Sequence, residues 1–147
     1  MADIDRLLNE RGKTDAPMMG KRFKKAKIRP DLIISSPAKR ALKTAKIIAK
    51  ELDFPKEEIV TDGAIYPGGV SGLLNVIRSF HDSFQTVFLV GHKPGLTDLA
   101  NYLTNVQIDN IPTCGVFCVD FEIQSWKKVG EGNGICVLFD YPKNEEK

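Results

Sequence analysis

The stretch Phe88-Leu89-Val90-Gly91-His92-Lys93-Pro94-Gly95-Leu96 constrains the chain most. Thr86 to Val90 is apolar and reads as a buried strand. It ends at Gly91, and an imidazole comes at once. Pro94 and Gly95 then turn the chain into a helical pattern of Leu96, Leu99, Ala100 and Leu103. His92 is therefore expected at the carboxyl end of a strand, beside the start of a helix. Open α/β sheets bind ligands at that edge, and helix starts favour anions.

The neighbouring segments repeat the design. Leu32-Ile33-Ile34 is short and β-branched, as suits a strand buried in a parallel sheet. Ser35-Ser36-Pro37 ends it, with Ser36 expected to cap the next helix and Pro37 to take its first position. That helix is expected to bury Ala38, Ala41, Leu42, Ala45, Ile48, Ala49 and Leu52. Arg40 lies off this stripe, within a turn of the helix start, at the same sheet edge as His92 if the strands run parallel. Upstream, Ala16, Met19, Gly20, Phe23 and Ala26 mark a helix capped by Asn9, kinked or delayed by Pro17, with Lys21, Arg22, Lys24 and Lys25 outward. Downstream, Glu58 to Thr61 reads as a strand. Ser71 is expected to cap a helix burying Leu74, Ile77, Phe80 and Phe84. His81, with Asp82 next to it, reads as a charged partner of that helix's end.

Thr113 to Glu122 alternates strongly, and Ile135 to Tyr141 is a further strand beyond the turn cluster Gly130 to Gly134. The two are expected to form an antiparallel hairpin closing one edge of the sheet. The predicted fold class is three-layer α/β: a mostly parallel sheet, helices on both faces, and a C-terminal antiparallel hairpin.

Bulk properties limit the rest. The chain has 147 residues, 42% hydrophobic and 27% charged, which suits one domain spanning 1–147. Its net charge of +2 gives no case for nucleic acid, and no apolar run approaches a membrane span. The acidic start Met1-Ala2-Asp3-Ile4-Asp5 lacks a signal peptide's apolar region, so a cytoplasmic location is expected. Cys114, Cys118 and Cys136 are an odd number of thiols, expected to be reduced. Cys114 and Cys118 fit core packing better than a metal site.

An Arg fork, an imidazole and helix starts converging on one sheet edge would make a phosphate pocket. Ser35-Ser36-Pro37-Ala38-Lys39-Arg40-Ala41-Leu42-Lys43-Thr44-Ala45 resembles the second motif of the histidine phosphatase superfamily, with its phosphoglycerate-mutase-like fold. Val90-Gly91-His92-Lys93-Pro94-Gly95 is similar to its second-histidine motif. Asp5-Arg6-Leu7-Leu8-Asn9-Glu10-Arg11-Gly12 and Ile111-Pro112-Thr113-Cys114-Gly115 resemble the short SixA-type phosphohistidine phosphatases. Lys93 stands where Asn is common, and Leu7 where Pro is common.

The resemblance implies a hydrolase acting on a phosphorylated protein (phosphohistidine) or a small phosphate ester, with no metal or other cofactor. It carries Arg40 and His92 over as catalytic and phosphate-binding, with Ser36 helping to hold the phosphate. The family's nucleophilic His and its neighbouring Arg sit on a first strand preceding the segment matched by Asp5 to Gly12. This sequence has no Arg-His pair, and His81 does not match the nucleophile. The expectation is therefore an N-terminally truncated domain with little or no activity as it stands. A misplaced start, a shortened chain or natural loss would each account for it. A non-catalytic phosphate or phosphoprotein binding module is the alternative, and self-association through an open sheet is a third expectation.

Overall fold

The computed structural model describes residues 10–65, 69–91, 95–108 and 116–140. Asn9, residues 66–68, His92, Cys114 and the Ile111 to Gly115 motif lie outside them.

Three strands form a parallel sheet: β1 (Leu32–Ser35), β2 (Val60–Thr61) and β3 (Val87–Val90), in the order β2-β1-β3. The register pairs Ile34 with Val60, and Leu32 to Ser35 with Val87 to Val90. The two-residue period of the strands then divides the core. Ile33, Phe88 and Val90 pack with Ala45 and Ala49 of α2 (Lys39–Glu51). Leu32, Ile34, Val87 and Leu89 pack on the other face, with Leu73, Leu74, Val76 and Ile77 of α3 (Val70–Arg78) and Leu99 and Leu103 of α4 (Gly95–Leu103). Helices thus cover both faces, as the alternating pattern predicted.

The fourth helix, α1 (Glu10–Lys25), lies against α2, and Phe23 meets Phe88 at a ring-centroid distance of 5.2 Å. The two helices approach closely at Gly20, where an added Cβ would stand 2.7 Å from Glu51 Cβ. Pro17 lies inside α1 rather than delaying it. Ala16, Met19 and Phe23 are buried as expected, but Ala26 lies beyond the helix and is exposed. Arg22 is half-buried, its guanidinium 3.4 Å from Met18 Sδ, so it leaves the outward basic face.

β4 (Val116–Phe121) and β5 (Gly134–Asp140) form the expected antiparallel hairpin, with an irregularity between Cys118 and Val119. Among the described residues it is a sheet of its own and does not extend the parallel one. Gly134 is fixed by packing, because a Cβ there would run into Val119 Cγ1 and the Leu103 carbonyl. The β4–β5 connection is anchored to α3 and to the segment that follows it: Arg78 Nε donates to the Val129 carbonyl (2.8 Å), and Trp126 Nε1 donates to that of Phe84 (2.9 Å). Trp126 also meets Phe80 edge-on.

Two caps differ from expectation. Helix α2 starts at Lys39 with Ala38 as its cap residue, two positions later than Ser36 and Pro37 would set it. The Ser36 hydroxyl accepts the Ala38 N–H (3.1 Å) and closes a serine turn ahead of the helix. Helix α3 starts at Val70 after Gly69, which places Ser71 inside its first turn.

Candidate functional site

The carboxyl ends of the three parallel strands meet at one edge. The Ser36 N–H donates to the Val90 carbonyl (3.0 Å), and the Asp62 N–H donates to the Ser35 carbonyl (3.0 Å). These bonds tie the residues after β1 to β3 and those after β2 to β1. Ser35 and Ser36 are both 0% exposed. Two fully buried hydroxyls need partners. Ser35 Oγ donates to the Ser36 carbonyl (2.8 Å), while Ser36 Oγ takes the Ala38 N–H. Polar groups at this strand end are therefore held in one arrangement before any ligand arrives.

Helix α2 rises from this edge. Leu42 is the first residue to bond back within it, to the Ala38 carbonyl (3.0 Å). The N–H groups of Lys39, Arg40 and Ala41 therefore lie at the helix start without intrahelical acceptors, a favourable setting for an anion. Arg40 is half-buried in this first turn, and among the described residues its guanidinium has no ion-pair partner. Its carbonyl accepts from Thr44 Oγ1 (3.1 Å).

The second junction is fixed on both sides of the histidine. Gly91 directly succeeds β3 and packs beside Ile65 and Leu96, where a Cβ would stand 3.1 Å from Ile65 Cγ2. Gly95 opens α4, whose first turn buries Thr97. His92 falls between these two points in the sequence, outside the described residues. The structure thus brings Arg40, Ser36 and the flanks of His92 to a common edge.

Asp62 joins that edge unannounced by the sequence. It is half-buried, and its Oδ1 accepts the Ala64 N–H (2.9 Å), which holds the carboxylate to the backbone. A strand of two residues is too short for periodicity to mark the position at its end.

His81 belongs elsewhere. It lies beyond the end of α3 and before β3, at the opposite end of the strands. It is exposed, and its Nδ1 is 2.7 Å from Ser83 Oγ. Asp82 accepts from Ser125 Oγ and from the Trp126 N–H (3.1 Å each) instead of pairing with His81. A groove of about 400 Å³ opens at that same end, between residues 82–85 and 119–126. Its charged lining is Asp82 and Asp120, with no basic side chain, so it repels the dianion that the Arg40 edge attracts.

Residues 2–64 match the model of the histidine phosphatase superfamily (branch 1), a span that includes Ser36 and Arg40. A stretch of 53 residues is 42% identical to the mitochondrial serine/threonine-protein phosphatase Pgam5 of Drosophila sechellia and of Drosophila melanogaster. That stretch is 36% of this chain but only 18% of those relatives. The fold matches the Agrobacterium tumefaciens protein assigned as phosphohistidine phosphatase SixA, with a TM-score of 0.78 and 24% identity over 97% of this chain and 87% of that one. It also matches a protein histidine phosphatase SixA complexed with tungstate, with a TM-score of 0.82 and 20% identity over 98% and 89% of the two chains. At these identities the structures speak for the fold.

Proposed function

From a chain with the histidine phosphatase superfamily sequence over residues 2–64 and the fold of the SixA proteins, we propose a phosphoryl-binding domain of the phosphohistidine phosphatase type. Arg40 neutralises the equatorial oxygens of the phosphoryl group, His92 supports them from the second junction, and Ser36 with the α2 start fixes their position. The observation that carries this reading is the Ser36 N–H to Val90 carbonyl bond (3.0 Å). It clamps the two strand ends together and sets the first turn of α2 beside the residues that lead into His92.

Turnover through a phosphoenzyme needs an imidazole of the protein to attack phosphorus as the bond to the leaving imidazole breaks, and water then to attack phosphorus as the bond to the protein imidazole breaks. The sequence holds two histidines. His92 is taken by the second motif, and His81 sits at the far end of the strands. Strand β3 alone separates the two edges by about 13 Å. We therefore expect the 147 residues by themselves to bind phosphate and to turn it over little. This favours the binding-module reading for this polypeptide, and a phosphohistidine phosphatase for any longer product that supplies an Arg-His pair.

Calorimetric titration with inorganic phosphate or tungstate tests the proposal. Arg40→Ala and His92→Ala should each weaken binding about tenfold or more, as loss of a charge-assisted contact does. His81→Ala should leave it unchanged. Binding insensitive to Arg40→Ala, or sustained phosphoramidate hydrolysis that survives His92→Ala, would reject it.

A further inference from the structure

Charge is segregated in this molecule to a degree its net +2 conceals. Residues 21–50 hold eleven of the 21 basic residues and one of the 19 acidic ones. The other residues carry ten basic against eighteen acidic. The structure concentrates the excess on one surface. Lys39, Lys43, Lys46 and Lys50 of α2 are all exposed, and their spacing of four, three and four residues places them within about 60° around the helix. The row runs about 16 Å along the axis. Among the described residues none of the four has an ion-pair partner. On α1, which packs against α2, Lys21 and Lys25 are exposed too, while Lys24 is paired with Asp53 (3.5 Å).

Folding gives no reason for this row. Like charges three and four residues apart destabilise a helix, whereas interleaved Glu would stabilise it. Solubility is served by mixed signs. We propose that the lysine row of α2 is a docking surface for an acidic segment of the phosphorylated protein whose phosphoryl group enters the Arg40 edge. This rests on the phosphate-binding reading above. The row's amino-terminal end, Lys39, is the residue before Arg40, so a chain lying along the row arrives at the α2 start. A bilayer fits less well, because neither α1 nor α2 exposes a large apolar side chain. Nucleic acid also fits less well. The row is lysine alone, without interleaved aromatic rings or arginine forks.

The test uses the 147-residue chain and the triple variant Lys43→Glu, Lys46→Glu, Lys50→Glu. Probes are a fluorescent Glu-rich phosphoserine peptide, its Gln-rich counterpart, and the Glu-rich peptide without phosphate, read by anisotropy. The Glu-rich phosphopeptide should bind the parent chain about tenfold tighter than the Gln-rich one at low salt. The triple variant should abolish that preference, and so should salt well above 0.1 M, where exposed charges are screened beyond about 10 Å. Inorganic phosphate should bind parent and variant alike. Equal affinity for the Glu-rich and Gln-rich peptides while phosphate still binds would overturn the docking surface alone. Tighter binding to anionic vesicles or to an oligothymidylate than to the Glu-rich peptide would also overturn it. If phosphate binds neither protein, the reading of the edge falls, and the unphosphorylated peptide still decides whether the row recognises acidic chains.

Discussion

Strands β1 and β3 are paired with each other, yet their burial is opposite to their composition. β1, Leu-Ile-Ile-Ser, ends in a hydroxyl, and three of its four residues are buried, Ser35 completely. β3, Val-Phe-Leu-Val, is wholly apolar, and all four of its residues are only half-buried. The difference is their place in the sheet. β1 has β2 on one side and β3 on the other, whereas β3 pairs with β1 alone among the described residues. A flanked strand is shielded by its neighbours as well as by the helices on either face. A strand paired on one side only, as β3 is among the described residues, has less of that shield, whatever its side chains. Burial here is set by topology, and the polar Ser35–Ser36 end is tolerated because every hydroxyl found a partner.

The largest effect should come from shortening side chains in the two strands. Ile34→Ala, at a residue 5% exposed, should cost about 3–4 kcal/mol of unfolding free energy. Leu89→Ala, directly opposite in the register, should cost about half as much because its site is already partly open. Urea melts of both variants compare them, and equal losses would break the contrast.

A smaller effect is expected at the strand end. Ser36→Ala leaves the Ala38 N–H without its buried acceptor, which should cost about 1–2 kcal/mol. It should also weaken phosphate binding by shifting the start of α2. A melt unchanged from the parent would mean that the serine turn holds nothing in place.

The smallest effect lies where the two strands begin. Asp31 accepts the N–H groups of Thr86 (3.0 Å) and Gln85 (2.7 Å) just before β3, and donates its own N–H to the Thr86 carbonyl (2.7 Å). The bonds from Thr86 and then Gln85 hold its carboxyl below the ordinary value of 3.8, against a weak opposing effect of burial. A carboxylate lowered by folding stabilises the protein above its unfolded pKa. That contribution is lost as pH falls below about 4 and through the folded value. Asp31→Asn should therefore remove a small contribution that is fully present at pH 7 and flatten the acid limb of the stability profile, with the difference from the parent closing as pH falls. An unaltered acid limb would mean that this bond pair does not hold β3.

Most of the elements were legible because their signals are local. Leu74 and Ile77 of α3 and Leu99, Ala100 and Leu103 of α4 bury the face their spacing predicts, whereas α3 ends before Phe80 and Phe84, and Ile33 and Ile34 are buried on opposite faces of the sheet. Ser36 and Arg40 follow β1 at the carboxyl edge of the sheet, as expected where a parallel sheet brings all strand-to-helix junctions to one side. The features that stayed hidden depend on distant neighbours. Among the described residues, the half-exposure of β3 and the separation of the β4–β5 hairpin follow from which edges pair. The late start of α2 reflects a serine turn that competes with capping at the same hydroxyl. Asp62 was masked by a strand of two residues.

A crystal of the chain soaked in tungstate tests the central claim most directly. One tungstate should lie within hydrogen-bonding distance of both the Arg40 guanidinium and the His92 imidazole, over the start of α2. Arg40 and His92 directed to opposite sides of the molecule, or tungstate bound away from both, would contradict it.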